Sequence, residues 1–132
     1  MDFQSACQEL LTQTLPQYET ADTFLGRLRR GHPPVPGQVT SLLLALRVIH
    51  SGLQTASQLD RNLAQALFLA AYESRNLFES GYAANVNWPP LLDEDLARIA
   101  IAVHNVFANT PIANTSITGT STANPSSPPG LE

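Results

Sequence analysis

The chain contains no lysine, and only one cysteine, one tryptophan and one methionine stand among its 132 residues. Each shortage removes a class of chemistry. A phosphate-binding loop of the GxxxxGK type needs the lysine, and so does Schiff-base catalysis, which requires an amine side chain. With Cys7 alone, no intrachain disulfide framework and no thiolate zinc cluster is available. Its position beside Phe3 and Leu11 on an apolar stripe reads as a packed thiol rather than a nucleophile.

Positive charge is scarce as well. Seven arginines face eleven acidic residues, for a formal charge of −4. Binding that relies on phosphate neutralisation draws on a basic surplus, so neither nucleic acid nor an anionic membrane surface is an expected partner. No run approaches the roughly 18 apolar residues of a membrane span. The opening "MDFQSACQEL" lacks the basic and apolar regions of a secretory signal, and the expected location is the cytoplasm.

What is present is helical periodicity. Phe3, Cys7, Leu10, Leu11 and Thr14 share one face of a first helix that Pro16 ends. A second is expected from about Thr20, with Phe24, Leu25 and Leu28 inward and Gly31 as its left-handed stop. Pro36 then stands near the first turn of a long third helix carrying Val39, Leu42, Leu43, Leu44, Leu46, Val48, Ile49 and Leu53. So broad an apolar girth places this helix at the bundle's centre or against a second subunit. A fourth is expected to start at a capping box over Ser57-Gln58-Leu59-Asp60 and to stop at Gly81, with Leu59, Leu63, Ala66, Leu67, Ala70, Ser74, Leu77 and Phe78 inward. Asp93, Glu94 and Asp95 charge the start of a fifth with the favoured sign, and Leu96, Ile99, Ala100, Val103 and Phe107 form its buried side. The expected fold is an all-α, compact bundle of about five helices over residues 1–108. A flexible Ser/Thr/Asn/Pro-rich tail is expected over 109–132, with Leu131-Glu132 resembling a cloning scar.

Three features invite a functional reading. The stretch "RLRRGHPPVPGQ" gathers three of the seven arginines and three of the ten prolines. Arg27, Arg29 and Arg30 complement the dipole at a helix end. Together with His32, Gln38 and the amides of the next helix start they could also hold a carboxylate, a phosphate or a partner. Trp88, in a Trp-Pro-Pro loop, either covers the bundle's end or anchors a partner. His32, His50 and His104 lie 18 and 54 positions apart and match no metal-ligand spacing. His50 and His104 read as boundary residues donating to carbonyls, or as ligands of a haem or metal in the bundle core. No catalytic residue, metal site or cofactor is expected from these motifs.

In "FLGRLRRGHPPVPGQVTSLLLALRVI" and "WPPLLDEDLARIAIAVHNVF" the chain resembles small all-helical cyanobacterial proteins of unsettled function, some of them labelled dethiobiotin synthetase. Read as an ATP-dependent carboxylating enzyme, that label conflicts with the residues: the phosphate loop, its lysine and an alternating strand–helix pattern are all missing. The expected function is that of a non-enzymatic interaction or adaptor protein, self-associating as a homodimer and using the Arg/Pro loop. An anionic small-molecule sensor or enzyme, and a haem or metal protein, stay open beside it.

Overall fold

The computed structural model describes residues 1–111, so the expected tail lies, from residue 112 onward, outside the described residues. The elements are α1 (Phe3–Thr14), a 3-10 turn (Pro16–Tyr18), α2 (Phe24–Arg29), α3 (Gln38–Gly52), α4 (Arg61–Phe68), a π-helical turn (Leu69–Glu73), α5 (Ser74–Ala83) and α6 (Leu92–Ala108). Because α4, the π turn and α5 run on without a break, the described residues form five helical rods and no strand.

Helix boundaries follow local chemistry. Asp2 caps α1 by accepting the Ser5 N–H at 2.7 Å, and that bond holds its carboxyl below the ordinary value. The second helix starts at Phe24 rather than near Thr20, because the Thr23 hydroxyl accepts the Gly26 N–H and makes Thr23 the cap. Gly31 ends it as expected, at φ +77°, with His32 N–H on the Arg27 carbonyl and Gly31 N–H on that of Leu28.

Pro36 stays outside α3. Gly37, at φ +86°, is the residue that turns the chain into it. The expected capping box at Ser57 does not form, since Asp60 is itself the cap and accepts the Leu63 N–H at 3.1 Å. Gly81 is not a stop either. The helix continues to Ala83, and Asn85, at φ +68°, closes it with Val86 N–H on the Gly81 carbonyl.

Packing places α1 and α6 on either side of α3, while the α4–α5 rod packs on α1, α2 and α6. The third helix is therefore not enclosed by all the others. Leu42, Ala45, Leu46 and Ile49 are fully buried, whereas Leu43 and Val48 are half-buried and Leu44 is exposed. The core adds Ala6, Leu10, Phe24, Leu67, Ala70 and Ile99, and each large apolar side chain buried in it contributes about 1.5–3 kcal/mol. On α6 the buried stripe continues from Ile99 and Val103 to Val106. Phe107, one step of about 100° further round, is half exposed, against expectation.

Candidate functional site

The arginines of the opening loop are engaged within the chain. Arg29 forks onto Glu19, with Nε 3.0 Å from one carboxylate oxygen and Nη2 3.1 Å from the other, and its Nη1 lies 3.0 Å from Glu73. Glu19, with Glu73 adding to it, holds the Arg29 guanidinium above its usual pKa. Arg30 donates to the Gly26 carbonyl at 2.9 Å, and Arg27 donates to the Pro33 carbonyl. Two carboxylates of the protein thus stand where an external anion would meet Arg29. His32 is exposed just beyond Gly31.

Gln38 serves as a buried clasp. Its Nε2 donates to Gln13 Oε1 and to the Asp22 carbonyl, both at 3.0 Å, while its Oε1 accepts the Val35 N–H at 3.1 Å. Its own backbone N–H is used by the Val35 carbonyl. The residue ties α1, the segment before α2 and the proline loop to the start of α3.

Trp88 is likewise occupied. Its indole N–H donates to the Phe78 carbonyl at 2.9 Å, and its ring stacks on Phe78 with centroids 5.9 Å apart. The Arg75 guanidinium also lies over the Phe78 ring, 5.2 Å from its centroid, and pairs with Asp93 at 2.6 Å. This stack pins the Trp-Pro-Pro loop to α5.

Among the histidines, His50 donates from Nε2 to the Thr110 carbonyl at 2.6 Å, fixing the end of α6, and His104 is exposed. Among the described residues no group of three His, Cys, Asp or Glu side chains stands together in a way that could hold a metal ion. Cys7 lines an apolar hollow with Phe3, Leu11, Leu53 and Leu63. Burial pushes its thiol pKa up and the Asp60 carboxylate pushes the same way, so the thiol is not activated.

A groove also lies open between α3 and α6. It consists of two adjoining hollows of about 320 and 500 Å³ that share Leu43 and Arg98. One end is built from Pro34, Val35 and Pro36 of the loop together with Leu91, and the other reaches Arg47, His50 and Ile101. Several of its apolar side chains are strongly exposed: Val35 by 40%, Leu91 by 63% and Ile101 by 61%, with Leu44, 45% exposed, on the neighbouring surface of α3. The proline half of the expected binding loop lies in this groove and the arginine half does not. Sequence reasoning passed over Arg47, Arg98 and Ile101. The only available signal was that Leu43, Leu44, Val48 and Ile101 lie off the main inward stripes of their helices.

The chain matches no family model, no curated protein and no solved structure. No helix among the described residues is long and apolar enough to cross a membrane.

Proposed function

We propose that this chain is a non-enzymatic interaction protein and that the groove between α3 and α6, closed at one end by the proline loop, is its recognition surface. The observation that carries this reading is the exposure of Val35, Leu91 and Ile101 around two adjoining hollows that share Leu43 and Arg98. Exposed apolar side chains gathered in a groove are a feature of binding surfaces, whereas scattered ones are ordinary. The arginines and Trp88, earlier candidates for contact, support the surface indirectly by fixing the helices and loops that frame it.

The test compares protein recovered from the native cell by the wild-type chain and by a Leu44→Glu, Ile101→Glu variant. Both substitutions are at exposed positions, so the fold should persist. Loss of the same bound species from the variant supports the reading. Identical recovery by both proteins overturns it.

Self-association through this face is the second reading, favoured by Leu44 and Ile101, large apolar side chains left exposed on the two helices that flank the groove. Light scattering should then give a dimer mass that falls to the monomer value in the same variant. A monomer mass at all concentrations removes it.

A further inference from the structure

We draw no further inference here: the strongest candidate, the pair of hollows between α3 and α6 that share Leu43 and Arg98, belongs to the recognition surface already proposed, and nothing in the structure shows what covers it.

Discussion

Gln38 on α3 and Gln13 on α1 are joined side chain to side chain, Nε2 to Oε1 at 3.0 Å, and the same Gln13 oxygen accepts the Phe24 N–H at 2.6 Å. Two amides thereby satisfy three backbone groups, the Phe24 N–H, the Asp22 carbonyl and the Val35 N–H, at the end of the bundle that carries the proline loop. Gln38→Leu would leave the Val35 N–H without its acceptor and the Asp22 carbonyl without its donor in a partly buried setting. We predict a loss of about 2–3 kcal/mol in denaturant unfolding, since each unsatisfied buried group costs about 1–3 kcal/mol. A change within about 0.5 kcal/mol, typical of an ordinary surface site, would contradict the clasp.

Gly81→Ala sets two effects against each other. Alanine is favoured over glycine inside a helix by about 1 kcal/mol. Here a Cβ would stand 2.5 Å from Trp88 Cζ2 and 2.9 Å from Cε2, and overpacking of this kind costs about 1–3 kcal/mol. The clash outweighs the propensity gain. The variant should melt lower and its indole emission should change, whereas a higher melting temperature with unchanged fluorescence would show that the Trp88 ring yields freely.

Arg29 bridges Glu19 and Glu73, which are half-buried while Arg29 itself is 43% exposed. Solvent screening limits such a pair, so Arg29→Ala should cost about 1 kcal/mol at low ionic strength and less at high salt. Millimolar phosphate should leave the wild-type melting temperature unchanged, because Glu19 already occupies the guanidinium fork. A rise with phosphate that disappears in Arg29→Ala would restore the loop as an anion site.

Cys7 has a raised pKa, caused first by burial and then by Asp60. A raised value means a smaller thiolate fraction at neutral pH, so iodoacetamide should modify Cys7 more slowly than free cysteine. The rate should still be climbing at a pH where free cysteine has levelled off. Faster modification than free cysteine would indicate an activated thiol.

The sequence carried the helices because their buried stripes are local: Leu63, Ala66, Leu67, Ala70 and Ser74 repeat at helical spacing and are all buried. It misassigned ends where a residue had a long-range reason to be present. Gly81 looks like a stop, but it is glycine because Trp88 packs across it, and nothing local distinguishes the two uses. The same holds for the arginines. Arg29 lies 44 positions from Glu73, so their pairing is invisible until the chain is folded. The groove was legible only in half: its proline end was visible as a loop, while the placing of Leu43 and Arg47 of α3 around one hollow with Arg98 and Ile101 of α6 is a product of how the two helices pack.

The α3–α6 groove is proposed as the place where this protein meets its partner. It is tested most directly by placing a photo-crosslinking amino acid at Ile101 and, as a control, at Tyr18, which is also exposed but outside the groove, in cells that make the protein. A discrete crosslinked species is expected from position 101, absent from position 18 and lost when Leu44→Glu is added. No adduct from position 101, or the same adduct from both positions, would contradict it.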